Sequence, residues 1–180
     1  MISRTITKIA GLLFVCCSQL VLLGELQAPI MAQERSSNFS LLTPAELARV
    51  VPPGFYFQGL SAATQMRNAA AARFGSNRCV IASLVDTSGY AADVRARYEG
   101  FFITDSPIKI NGSDLGVGAY GFGFSGDGKM QILDLAANAI LVVTSNKDAE
   151  MKRPRPLMMA IATDGLRFYN GKDYVVITAR

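Results

Sequence analysis

Residues 116–121 read Gly-Val-Gly-Ala-Tyr-Gly, the Gly-x-Gly-x-x-Gly spacing that cradles a dinucleotide pyrophosphate. That chemistry needs a strand before the glycines and a helix after them, because the helix N-terminus receives the pyrophosphate. Here Tyr120-Gly121-Phe122-Gly123-Phe124 follows instead, alternating with period two, and Gly126-Asp127-Gly128 then turns the chain. The glycines therefore read as part of a strand, and no cofactor is expected. Other catalytic inventories are short. The sequence has no histidine, which removes Ser-His-Asp and Cys-His arrangements and the usual zinc sites. Cys79 opens the apolar run Cys79–Val85, where a buried, inert thiol is expected. The acidic residues are scattered and mostly beside turns, so no carboxylate pair for glycoside chemistry can be picked out. Asp127 lacks the repeated acidic ligands of a calcium loop, and no metal site is expected.

Two short stretches hold the remaining chemistry. Leu84-Val85-Asp86-Thr87-Ser88-Gly89 resembles the aspartic-peptidase signature of two hydrophobic residues followed by Asp-Thr-Gly. Small retropepsin-like members of that family are all-β and dimeric. The resemblance departs at Ser88, which displaces the glycine, and the chain has no second such motif. A catalytic pair of Asp86 carboxylates would therefore require a homodimer. The local reading is a strand end in which Thr87 or Ser88 caps a helix at Tyr90, with Asp86 not catalytic. Lys152-Arg153-Pro154-Arg155-Pro156 is the concentrated basic stretch. Lys152, Arg153 and Arg155 could meet an anionic partner such as a lipid headgroup or a cell-wall polymer. The preferred reading is a solvated, proline-stiffened loop leading to Leu157.

The elements that must position these residues are mostly strands. Thr43-Pro44-Ala45-Glu46 reads as a capping box opening a short helix, which Pro52-Pro53-Gly54 stops. Gly54–Leu60 is aromatic and extended. Residues 61–74 are ambiguous between helix and strand, and Ala70–Phe74 is assigned to a strand that turns at Gly75-Ser76-Asn77 into Arg78–Val85. Tyr90–Glu99 reads as a second helix, with Tyr90, Val94 and Tyr98 on one face and Asp93 able to pair with Arg97. Everything from Gly100 onward reads as strand. Phe101–Thr104 and Ile108–Ile110 flank Ser106-Pro107, and Val117–Ser125 and Lys129–Leu135 flank Gly126-Asp127-Gly128. Ala139–Ser145 follows, Leu157–Thr163 and Leu166–Tyr169 flank Asp164-Gly165, and Tyr174–Thr178 comes after Asn170-Gly171. Within Val117–Ser125, Tyr120, Phe122 and Phe124 should point to one face, and Gly121 and Gly123 should leave the other bare for a close neighbour.

The first 32 residues are read as a segment apart. Arg4 and Lys8 precede the 15-residue apolar run Ile9–Leu23, and Leu26–Ala32 offers a cleavage site after Ala32, with Ala28 as the fallback. That layout is a secretory signal peptide, and the run is short of the roughly 20 residues a membrane span needs. The mature chain would start at Gln33 with a polar leader to Leu42 and keep Cys79 as its one cysteine, so no internal disulfide could form. Its net charge would be +3, which does not argue for nucleic acid.

The combination of signal peptide, Gly54–Phe57, Val85–Tyr90 and Ala119–Phe124 is similar to small exported bacterial proteins of unknown function. Gly54-Phe55-Tyr56 after a short helix resembles the first strand of lipocalin-like barrels, where Gly-x-Trp is usual and Tyr56 stands in the tryptophan's place. The expectation is a single all-β domain over 43–180, a β-sandwich or closed β-barrel of about eight or nine antiparallel strands with one or two short helices. It would be exported to the periplasm or beyond and act by binding. Its ligand would be a small apolar molecule, held by Tyr120, Phe122 and Phe124 if the interior is hollow, or its partner an envelope component. The alternatives are the Asp86 peptidase and a structural subunit that adds a strand edge to a partner.

Overall fold

The structure, a computed structural model, describes residues 39–75 and 77–180. The expected signal peptide, its cleavage site and the leader as far as residue 38 lie outside the described residues.

Strand formation begins earlier than the sequence suggests. Phe39–Leu41 (β1) pairs antiparallel with the far end of a 15-residue strand, Leu60–Phe74 (β3), so the expected leader is part of the fold from Phe39 on. Between them Pro44–Val50 (α1) forms as the capping box dictates. The Thr43 hydroxyl accepts from the Glu46 N–H, and the Glu46 carboxylate accepts from the Thr43 N–H at 2.9 Å. Gly54–Phe57 (β2) pairs with the near end of β3 through Gln58-Gly59.

The ambiguous stretch 61–74 is therefore strand throughout, and its alanines fit because it is squeezed between layers. Ala71 and Ala72 are buried, and β3 pairs antiparallel with Arg78–Val85 (β4). The ladder from β3 to β4 jumps from Thr64↔Val85 to Ala69↔Ser83, so Gln65–Asn68 form a bulge. Ser83, fully buried, places its hydroxyl 3.3 Å from the Gln65 carbonyl and 3.2 Å from that of Asn68.

From β4 the first sheet continues through Gly100–Thr104 (β5), Gly118–Ser125 (β8), Lys129–Leu133 (β9) and Ala139–Thr144 (β10), all antiparallel. After β5 the chain crosses to the second sheet. There it forms the hairpin Ile108–Ile110 (β6) and Ser113–Leu115 (β7) before returning at β8. Asn111 and Gly112 adopt φ 46° and 82°, the mirror-image turn that Asn-Gly favours. Asn146–Lys147 (β11), Arg155–Ala162 (β12), Gly165–Gly171 (β13) and Asp173–Ala179 (β14) complete the second sheet, whose order is β12-β13-β14-β6-β7 with β11 on β14.

The architecture is all-β, two antiparallel sheets with two short helices, and no closed barrel forms among the described residues. The described residues form fourteen strands where eight or nine are expected. The surplus comes mainly from pieces two or three residues long, β1, β7 and β11, too short to display an alternating pattern. Phe74, Val80, Phe102, Phe122 and Ile132 of the first sheet meet Ile108, Leu157, Leu166, Phe168 and Ile177 of the second in one core. The outer face of the first sheet carries a second core, closed by Val51, Phe55, Phe57, Tyr90, Val94 and Tyr98. The expected helix over Tyr90–Glu99 is reduced to Ala92–Arg95 (α2), yet Tyr90, Val94 and Tyr98 are all buried as its apolar face requires. The first sheet is thus a wall shared by two cores.

Candidate functional site

Asp86 stands at the exposed end of β4. Its carboxylate accepts from the Ser88 N–H at 3.0 Å, an Asx turn, and that bond holds the carboxyl below the usual aspartate range. Its own N–H donates to the Ala63 carbonyl, tying the turn to β3. Tyr90 N–H then donates to the Thr87 carbonyl, and α2 has Ala91 as its cap residue with no side-chain hydrogen bond. Neither Thr87 nor Ser88 caps it. The Asp86 side chain organises a turn that feeds the outer layer, and Arg97 donates to the Ala137 carbonyl at 2.8 Å.

The aromatic row of β8 divides into an interior and two ends. Phe122 is fully buried, edge-on to Phe168 at 5.2 Å, and Phe102 also meets Phe168 edge-on at 5.7 Å. Side chains fill the space around Phe122. Tyr120 and Phe124 are half-buried at opposite ends of the strand. The Tyr120 hydroxyl lies 3.1 Å from the Gly116 carbonyl, and Phe124 packs on Phe168 at 5.9 Å. The bare face expected at Gly121 and Gly123 has the close neighbours that the sequence calls for. A Cβ on Gly121 would meet the Phe57 ring at 2.5 Å, and one on Gly123 would meet the Arg97 carbonyl oxygen at 2.2 Å. Phe57 is stacked on Tyr98 at 3.9 Å, so that neighbour is itself fixed. The Tyr98 hydroxyl is buried without a hydrogen-bond partner among the described residues, and burial raises its pKa above the ordinary tyrosine value.

Lys152 and Arg153 are exposed just before β12, and Arg155, its first residue, is exposed and paired across from Gly171, so the expected loop leading to Leu157 gives way to strand from Arg155 on. Cys79 is half-exposed at the start of β4 rather than fully buried, and its thiol pKa is raised, chiefly by burial and further by Asp105. Among the described residues no cluster of three metal-ligating side chains occurs, and no helix is long and apolar enough to cross a membrane.

Two features were not singled out from the sequence. The first is Glu99, which precedes β5 at the Phe124 end of the row. Its Oε2 accepts from the Phe124 N–H at 2.9 Å and from Asn170 Nδ2, on β13, at 2.6 Å. One carboxylate oxygen thereby joins the two sheets. Burial raises the Glu99 pKa above the usual carboxylate range, against the pull of its two hydrogen bonds.

The second is the outward side of β10, the terminal strand of its sheet. Val143 turns inward to the core, whereas Ile140 and Val142 are 48% and 51% exposed. The outer layer that covers β9 at Leu133 does not cover these two residues, and no charged residue lies within Ala139–Thr144. The sequence signal was present in this run of β-branched residues, but only the sheet order makes it a terminal strand.

No protein-family model, no curated protein and no solved structure matches this chain.

Proposed function

We propose that the chain is an exported protein without catalytic chemistry that binds an envelope partner through the outward side of β10. The observation that carries this reading is the pair Ile140 and Val142, about half exposed on an uncharged terminal strand. Apolar, β-branched side chains left open at a sheet margin are ordinarily covered or interrupted by charge, so their exposure here favours a covering partner. The contacts among Phe102, Phe122 and Phe168 favour a surface site over a small apolar ligand enclosed between the sheets. The partner is an apolar segment of another envelope protein, laid along β10. Export itself rests on the basic start, the apolar run Ile9–Leu23 and the Ala32 site.

The test is site-specific cross-linking in the producing cell. A photoreactive residue at Val142 should give one discrete protein adduct, and Ile140→Lys should remove it while leaving the melting temperature unchanged. Adducts formed only from position 153 would favour an anionic partner at the basic stretch. A stoichiometric apolar molecule carried by the purified protein in native mass spectrometry, with no adduct at 142, would restore the enclosed-ligand reading.

A further inference from the structure

Glu99 lies where two sheets meet, and its environment makes its charge unwelcome. From β8 it faces the Phe124 amide, and from β13 the Asn170 amide; its own N–H and carbonyl are bonded to Phe122 of β8 and Val85 of β4. None of these groups carries a charge. Most charged and titratable side chains of the same elements are engaged elsewhere. Arg97 bonds the Ala137 carbonyl, Lys129 bonds Asp127 in the β8–β9 turn, Arg167 bonds Asp164, and Tyr169 donates to Asp148. Arg78 lies over the Phe74 ring, and the Tyr120 hydroxyl lies against the carbonyls of Gly116 and Val117. Cys79 lies at the far end of β4, Lys172 sits in the β13–β14 hairpin, and Asp173 is paired across from Asn170.

We propose that Glu99 is a proton-operated clasp across this end of the sandwich, tight when the carboxyl is protonated and looser when it is ionised. Both bonds fall on Oε2, so the neutral acid keeps them on its carbonyl oxygen and carries its proton on Oε1. Ionisation leaves the bonds possible but places a negative charge in a half-buried site that no cation among the described residues contacts. In the opened end the carboxyl meets water and titrates as an ordinary glutamate. The closed end binds the proton more tightly than the opened end, because burial raises the carboxyl's pKa there. Closure is therefore strongest below the ordinary glutamate value, weakens as pH rises through the raised value, and levels off above it. What the clasp guards is the half-buried Phe124 and its contact with Phe168, the apolar margin of the inter-sheet core.

Two measurements on the whole protein test this. Carbon NMR of the Glu99 carboxyl gives its titration midpoint, expected above that of an ordinary glutamate. Hydrogen exchange gives the protection factor of the Phe124 amide, corrected for the intrinsic rate at each pH. It should fall as pH rises, by up to tenfold for each unit by which closure lifts the midpoint, while that of Ile103 in β5 stays constant. In Glu99→Gln, which accepts the same two bonds without a charge, Phe124 protection should not change with pH. A Glu99 midpoint at or below the ordinary value overturns the proposal, even if the variant does not fold. So does a pH-independent protection factor at Phe124 in the native chain, or an equal fall in Glu99→Gln.

Discussion

At the scale of single residues, space decides more than chemistry. A Cβ on Gly123 would sit 2.2 Å from a backbone oxygen, which cannot swing aside as a side-chain tip can. Gly123→Val is expected to destabilise by about 1–3 kcal/mol in chemical denaturation. Phe122→Ala, which empties a fully buried ring site, should cost about 3–5 kcal/mol. Equal midpoints for both variants and the native chain would mean that β8 is not the packed centre described. Glu99 follows a different rule. Because burial raises its pKa, its ionised form weakens the fold at neutral pH, and that loss fades as pH falls through the raised value. Glu99→Gln should therefore melt higher than the native chain at pH 8, with the gap narrowing towards pH 4. The two glycines were legible in the sequence because alternation with bulky aromatics marks a face that something must approach. Glu99 was not, since an acidic residue closing an apparent helix looks solvated until a second sheet supplies Asn170.

At the scale of elements, local signals worked wherever the deciding contacts are local. Thr43 and Glu46 form their capping box, and the Thr43 N–H and hydroxyl, aided by Arg73, bring Glu46 down to about 2. The support that Glu46 gives to α1 is then present above the ordinary glutamate value and lost as pH falls through about 2. Thr43→Ala should lower stability by about 1 kcal/mol at neutral pH, read from the shift in denaturation midpoint. The turns at Gly126-Asp127-Gly128, Asp164-Gly165 and Asn170-Gly171 each join the strands expected of them. Asn111-Gly112 is an equally strong hairpin signal, but β7 beyond it, Ser113–Leu115, is too short and polar to be noticed. In Tyr90–Glu99 the sequence pattern gives the right buried face but too much helix. The segment's Phe57, Leu133 and Phe101 neighbours hold Tyr90 and Tyr98 in place without a continuous helical backbone. Which strands share a sheet was not legible, because hairpin signals order neighbours along the chain and say nothing about where β6 crosses over.

At the scale of the whole molecule, the shared wall joins two cores into one mechanical unit. β4, β5 and β8 contribute Val80, Phe102 and Phe122 to one side, and Val85 and Phe101 to the other, so neither core can be dismantled while the other stays intact. Unfolding should be a single transition. Its calorimetric and van't Hoff enthalpies should agree, and Phe57→Ala on the outer side should shift the whole curve rather than split it.

The excursion of β6 and β7 has a consequence in time. That hairpin is made between two strands of the first sheet, yet the strand that joins it to the rest of the second sheet is β14, made after every other strand described. Until β14 emerges, Ile108 and Ile110 have only the short strand β7 to pair with, and the space between the sheets lacks part of one wall. Pairing between such distant stretches is slow to nucleate, because the chain must close a long loop before any contact rewards it. The growing polypeptide would accordingly remain without a complete central core until its last described strand is made.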